Sequence, residues 1–562
     1  SVAELITFHT DIRDTGDGHG TPNVDLTNVT LLSGGISDLN TVRTTGTFTG
    51  KGAVGYTATD ASISIANANN LSGATSGVVT ATIAESTTAQ ILDAGDGLNT
   101  DGGANAFTID ISNTSADAGD LASIHAKTSL TVALDKVETL TGTFTELKQY
   151  ITDQAQYTSK NGITTVTIDA QAIDGSGSNG TVAELITFHT DIRDTGDNHG
   201  TPNVDLTNVT LLSGNLSDLN TIRTTGTFTG KGAVDYTATD ASISIANANN
   251  LSGATSGVVT ATITESTIAQ ILDAGDGLNT DGGANAFTID ISNTSADAGD
   301  LASIHAKTSL TVALDKVETL TGTFTELKQY ITDQAQYTSK NGITTVTIDA
   351  QAIDGSGSNG TVAELITFHT DIRDTGDNHG TPNVDLTNVT LLSGNLSDLN
   401  TIRTTGTFTG KGAVDYTAGD ASITITEANN LSGATTGKVT ATIADDALAD
   451  LIGGSGINAD TGNDNGDINA FTVTLTDTSV SAADLATLDA RTSGTINLTD
   501  VTTLSGTLTE LKAFIAAEDN FGNKSGISTI SVSAENIDGA GGRGSVAELI
   551  TFHTDIRDTG DG

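Results

Sequence analysis

Apolar positions along the chain follow two alternating patterns. Phe107-Thr-Ile-Asp-Ile111 and Thr164-Thr-Val-Thr-Ile-Asp169 alternate apolar and polar residues, as half-buried strands do. Elsewhere the spacing is three to four. In Thr139–Ile151, Leu140 closes a β-like run and Gly142 supplies a turn. Leu147, Tyr150 and Ile151 then form one helical stripe. Thr143 precedes Glu146 by three residues, the spacing of a capping box, in which each side chain accepts from a free N–H at the helix start. Thr181/Glu184, Asn215/Asp218, Ser481/Asp484 and Thr507/Glu510 repeat this grammar. The same reading predicts helices over Ser115–Lys127, Thr143–Tyr157, Val182–Arg193 and Thr267–Leu272. It predicts single strand regions over Leu130–Leu140, Val204–Leu212 and Val258–Ile263, and only weak helix over Ala246–Gly257.

The pattern recurs. Val-Ala-Glu-Leu-Ile-Thr-Phe-His-Thr-Asp-Ile-Arg-Asp-Thr-Gly-Asp begins at Val2, Val182, Val362 and Val546. The lengthening of the last interval falls in one loop, between Gly456 and Phe471, where the previous copy runs from Gly277 to Phe287. We read repeats at 1–180, 181–360 and 361–544, the start of a fourth at 545–562, and three weaker sub-units within each. Strands separated by helical crossovers favour parallel pairing with right-handed connections. The expected fold is an α/β repeat solenoid, with parallel strands stacked one per coil and short helices or loops as crossovers. The alternative is a string of small α/β or β-sandwich domains. Ser545–Gly562 duplicates Ser1–Gly18, and the chain has no Met, so it reads as a window on a longer repetitive protein.

Composition narrows the partners. Lys plus Arg total 23 against 69 Asp plus Glu, a formal net charge of −46. That disfavours nucleic acid and anionic membranes, and suits a self-repelling or cation-binding surface. Zero Cys excludes disulfides and thiolate metal sites. No apolar run approaches the ~20 residues of a membrane helix, so membrane insertion is not expected. Aromatics make only 4 %, which fits a thin aliphatic core repeated along an axis.

The stretch from Ser481 to Leu511, with its Asp-Leu…Thr-Ser-Gly…Val-Thr-Thr-Leu-Ser-Gly-Thr pattern, resembles repeats of very large cyanobacterial cell-surface proteins. Those are giant, acidic, Cys-poor chains of surface layers, adhesion and motility. The resemblance implies an extracellular structural role and carries no catalytic residue across.

Candidate chemistry lies in the Asp/Asn/Gly loops. Asp273, Asp276, Asn279 and Asp281 place oxygen ligands at close spacing among glycines, as a hard cation such as calcium needs. Asp93, Asp96, Asn99 and Asp101 are one counterpart; Asp460, Asp464 and Asp467 are another. Asp194, Asp197 and Asp205 form a second set. Neither set follows the EF-hand or the calcium β-roll pattern, and solvated turns are the competing reading. His189, near Asp191 and Asp194, lies on the apolar face of a predicted helix and reads as a core or interface residue; it recurs as His9, His369 and His553. His199 is expected to face solvent. Asn28, Asn208, Asn215 and Asn250 open Asn-x-Ser/Thr triplets, as a Thr-rich chain produces by chance. No nucleophile, zinc or phosphate-loop motif is present. The expectation is a non-enzymatic structural protein of a surface fibre, sheath or layer, linked to gliding motility or adhesion. Its partners would be further copies of itself and surface polysaccharide. A calcium-rigidified adhesin stalk is the alternative.

Overall fold

The computed structural model describes residues 1–99, 104–279, 284–458, 468–540 and 543–557. The chain forms two compact units, one of Ser1–Glu265 with Asp276–Thr288 and one of Ser266–Gly275 with Ile289–Gly562. Both are α/β, built from short helices and several parallel sheets.

In the first unit, one sheet orders its strands Tyr157–Thr158, Val132–Ala133, Ala106–Asp110, Val79–Thr82, Gly55–Ala58 and Leu31–Gly34. A second orders Phe228–Thr229, Asn203–Asp205, Thr165–Ile168, Thr139–Gly142 and Ser115–Asp117. Ser115 stands opposite Thr139, Thr139 opposite Thr165, and Thr165 opposite Asn203, all in parallel register. The second unit repeats this order from Ser295–Asp297 to Phe408–Thr409. Helices Ala118–His125, Phe144–Thr152, Val182–Asp191, Leu216–Thr224 and Ile245–Ser252 each pack against the next. Among the described residues, 1–180, 181–360 and 361–544 carry six α-helices apiece.

The corner at Gly142 shows why the chain turns where it does. Leu140, Phe144, Leu147 and Val166 are fully buried. The Thr143 N–H donates to Glu146 Oε2 (2.8 Å), and the Glu146 N–H donates to Thr143 Oγ1 (3.3 Å), so the expected capping box is formed. Those at Thr181/Glu184 and Thr507/Glu510 are formed too, and Asn215 and Ser481 cap their helices. Gly180 precedes the next helix at φ +72°, and a Cβ there would meet the Phe144 ring at 2.5 Å. Only glycine allows both the left-handed backbone and the close approach.

Several expectations change in detail. Leu130–Leu140 and Val204–Leu212 each split into two short strands, Val132–Ala133 and Thr139–Gly142, and Asn203–Asp205 and Val209–Gly214. In the second case Asp205 Oδ1 accepts from the Thr207 N–H and hydroxyl, and this local turn removes the backbone from the ladder. The two halves enter different sheets, so one strand per coil is too coarse: two strands lie between helices Ala118–His125 and Phe144–Thr152. The predicted helix 115–127 begins only at Ala118, because Ser115–Asp117 pairs as strand. The segment expected to be weakly helical forms the regular helix Ile245–Ser252, with Ala248 and Leu251 fully buried. Its asparagines, poor helix formers alone, are satisfied from elsewhere: Asn249 Nδ2 donates to the Gly277 carbonyl (2.9 Å), and its Oδ1 accepts the Asn279 N–H (2.9 Å).

Helix ends are capped by residues from the segment that follows as well as locally. The Ile36 N–H donates to Asp60 (2.6 Å), Ile65 to Glu85 (2.8 Å), Thr88 to Asn113 (2.9 Å), Leu216 to Asp240 (2.6 Å) and Ile245 to Glu265 (2.8 Å). The second unit repeats the device at Leu396/Asp420 (2.5 Å), Leu448/Asp477 (2.6 Å) and Leu508/Glu535 (2.7 Å). At the opposite end, Lys231 Nζ donates to the carbonyls of Ile222 (3.0 Å), Arg223 (2.7 Å) and Thr225 (3.0 Å). Anions at N-termini and a cation at a C-terminus both follow the helix dipole.

Thr143→Ala is expected to lower stability by about 1 kcal/mol through loss of its cap. Asp240→Ala should cost about as much, while Asp240→Asn, which imitates Asn113, should retain most of the stability. Urea midpoints unchanged in both alanine variants would show that these caps contribute nothing.

Candidate metal centres

Each acidic triad forms where three neighbouring strands pair in parallel. Asp117 ends a strand and caps helix Ala118–His125, accepting the N–H groups of Gly119 (2.9 Å) and Asp120 (3.2 Å). Glu146 belongs to the next helix, held by its capping box. Asp169 follows strand Thr165–Ile168, and its N–H donates to the Gly142 carbonyl (2.9 Å). Parallel pairing of Asp117 with Thr141, and of Gly142 with Ile168, brings the three side chains together. Their carboxylate oxygens lie within 4.8 Å of one another. Gly119 leaves room for this, since a Cβ there would lie 2.6 Å from Glu146 Oε1. Asp297, Glu326 and Asp349 form the same group in the second unit. In the third copy Ser481, Glu510 and Ser533 occupy these positions, so two of the three carboxylates are gone.

Both triads concentrate negative charge. Burial, followed by the charges of Asp117 and Glu146, raises the carboxyl pKa of Asp120 and Asp169. Asp300 and Asp349 are raised by burial and then by Asp297 and Glu326. The ion pairs Lys148–Glu184 and Lys328–Glu364 lie at other carboxylates. Two oxygens at opposite sides of a calcium ion stand about 5 Å apart, so this spacing suits a hard cation whose remaining positions water fills. Either triad could hold a metal ion.

The loop residues named from sequence serve mainly as turns. Asp93 Oδ1 accepts from the Gly95 and Asp96 N–H groups (both 2.8 Å), which lowers its pKa. Asp273 accepts from the Gly275 N–H (2.8 Å). Asp96 and Asp276 are exposed on the same turns. Asn99 and Asn279 are tied by their N–H groups to Asn69 and Asn249 (2.8 and 2.9 Å). Asp194 accepts from the Gly196 N–H (2.8 Å), Asp197 from Gln154 Nε2 (2.9 Å), and Asp205 from Thr207. Asp101, Asp281, Asp460, Asp464 and Asp467 lie outside the described residues. Among the described residues, the acids that converge in threes are the two triads and not these. From the sequence, Glu146 reads as a cap alone. Its second role depends on register between coils, which spacing along the chain does not display.

The histidines divide. His189 is half-buried, stacks on Phe228 (4.3 Å between centroids) and shares a hydrogen bond with Thr227 Oγ1 (2.8 Å). Burial and then Arg193 lower its pKa. His199, expected to face solvent, is buried at 3 % exposure. The coil before it covers it: Tyr150 lies 5.8 Å away, and Gly200 lets the loop approach so closely that a Cβ would meet the Ile163 carbonyl at 2.5 Å.

No family model, curated protein or solved structure matches the chain. None of the described helices is long and apolar enough to cross a membrane.

Raised carboxyl pKa values at Asp169 and Asp349 mean that the folded state binds these protons more readily than the unfolded chain. Their charges therefore weaken the fold at pH 7, and stability is recovered as pH falls through the raised values. Asp169→Asn with Asp349→Asn should raise the urea midpoint at pH 7 and lose that advantage near pH 3. If the triads hold a hard cation, calcium raises the midpoint of the parent and not of the double variant. A double variant less stable than its parent in the absence of metal would contradict the cost of burying and crowding these charges.

Proposed function

We propose that the chain is a non-enzymatic structural repeat protein, built as an α/β solenoid and contributing to an extracellular fibre, sheath or layer at a cell surface. The observation that carries this reading is the cross-coil cap. Helix after helix takes an acceptor for its first N–H from the coil that follows, so the unit of stability is the stack and not the single coil. Parallel registers running from each coil to the next support it, as does the near-identity of the copies. The resemblance of 481–511 to cyanobacterial surface repeats supports the location and a link to adhesion or gliding motility. Identical copies present the same lateral patch once per period, which suits self-association; surface polysaccharide is the other proposed partner.

The acidic triads favour a second reading, a calcium-rigidified stalk of a giant adhesin. There, calcium at Asp117/Glu146/Asp169 and Asp297/Glu326/Asp349 would clamp three coils at each corner.

Electron microscopy with and without a calcium chelator separates the two. With six helices per period, coils at ~4.8 Å spacing advance roughly 30 Å per 180-residue copy. Regular fibres with that repeat, unchanged by chelation, are expected for the structural array. Loosening on chelation would favour the stalk, and isolated beads on a flexible string would overturn the solenoid.

A further inference from the structure

A row of rings crosses the junction between successive 180-residue copies and ends on a buried histidine. His125, Tyr157, Tyr150 and His199 follow one another at centroid separations of 6.2, 5.0 and 5.8 Å. The second unit repeats the row as His305, Tyr337, Tyr330 and His379, at 6.3, 5.0 and 5.8 Å. Both ring nitrogens of His199 are buried without a hydrogen-bond partner among the described residues, as are the Tyr150 hydroxyl and Gln154 Oε1. His379, Tyr330 and Gln334 repeat the pattern. Such groups are rare in folded proteins and call for a physical reason.

We propose that His199 and His379 are acid-sensitive latches: neutral, each holds its loop (195–202 or 375–382) against the preceding copy, and protonated, each releases it. The slot accepts an uncharged ring on Tyr150. An imidazolium would bring a charge and two N–H donors into a space with little solvent to receive them.

The groups facing the ring set the balance. From the preceding copy come Tyr150, Gln154 and Lys160. Lys160 is itself buried, and its Nζ donates to the Gln154 carbonyl (3.0 Å). From the histidine's own loop come Asp194 and Asp197, which favour the charged ring, but both already accept bonds, from the Gly196 N–H and from Gln154 Nε2. Arg193 is spent on the Thr201 and Pro202 carbonyls. Burial, then Lys160, outweigh the two aspartates and hold the ring's pKa down to about 4; His379 behaves alike, facing Lys340, Asp377 and Asp374. A histidine with a lowered folded pKa gives its full stabilisation above the unfolded value of 6.5, and loses it as pH falls from there to about 4. In the third copy Phe514 and Phe521 stand for the tyrosine pair, and Asp489 for His125. The latch does not depend on the array being a surface fibre.

Amide hydrogen exchange on the full chain, from pH 7 to pH 4, tests it. After correction for intrinsic rates, peptides covering 195–205 and 375–385 should lose protection by up to roughly tenfold per pH unit below about 6. In a His199→Phe, His379→Phe chain that dependence should disappear. A variant that tracks the parent would assign the loss to carboxylates and overturn the proposal. Should the variant fail to fold, exchange of the imidazole Cε1 hydrogen in the unaltered chain decides. His199 and His379 should titrate well below 6.5 and exchange more slowly than His19, their exposed counterpart in the first copy. Midpoints at or above 6.5 would overturn it.

Discussion

A helix begins with N–H groups that have no partner within it, and this fold is organised around supplying them. Some acceptors are local, as at Thr143 and Thr181. Others arrive from the following coil, at Asp60, Glu85, Asp240 and Glu265. Because helices this short are marginal in isolation, the second kind of cap ties the existence of one helix to the placement of the next coil. Forming one helix and placing the segment that follows it thereby become linked, with buried aliphatic side chains such as Leu140, Leu147 and Val166 providing the drive.

The same requirement accounts for part of the acidity. Carboxylates are the strongest acceptors available at a helix N-terminus, and parallel pairing of neighbouring strands brings some of those ends together. The caps therefore accumulate charge, and where Asp117, Glu146 and Asp169 come together, burial and then the charges of the other two raise the pKa of Asp169. The third copy relieves it with Ser481, which still caps its helix as a hydroxyl, and with Ser533. Cations answer at the other end, where Lys231 gathers the carbonyls of one helix C-terminus.

What the sequence made legible was local. Capping boxes, the alternation at Phe107–Ile111 and the apolar stripe of Val182–Asp191 depend on neighbours within a few residues, and all appear in the structure. What it hid depends on the next coil. Helix Ile245–Ser252 looks weak because Asn249 finds its partners at Gly277 and Asn279. The triads are invisible because their members are brought together only by register, and His199 looked exposed because its cover comes from Tyr150, far back along the chain. The split of Val204–Leu212 could have been anticipated from Asp205 and Thr207, whose side chains compete for the backbone.

Register also bears on how such a chain can change over generations. Thr260 pairs with Ala286 in one copy and Thr440 with Ala470 in another, although the intervening segment differs in length. The ladder keeps its phase on both sides of the insertion. A period that carries a whole number of helices has the same tolerance at a larger scale. Unequal crossing-over between near-identical copies would remove or add whole periods, each with its own six helices. The gene for such a protein can vary in length without its product having to find a new fold.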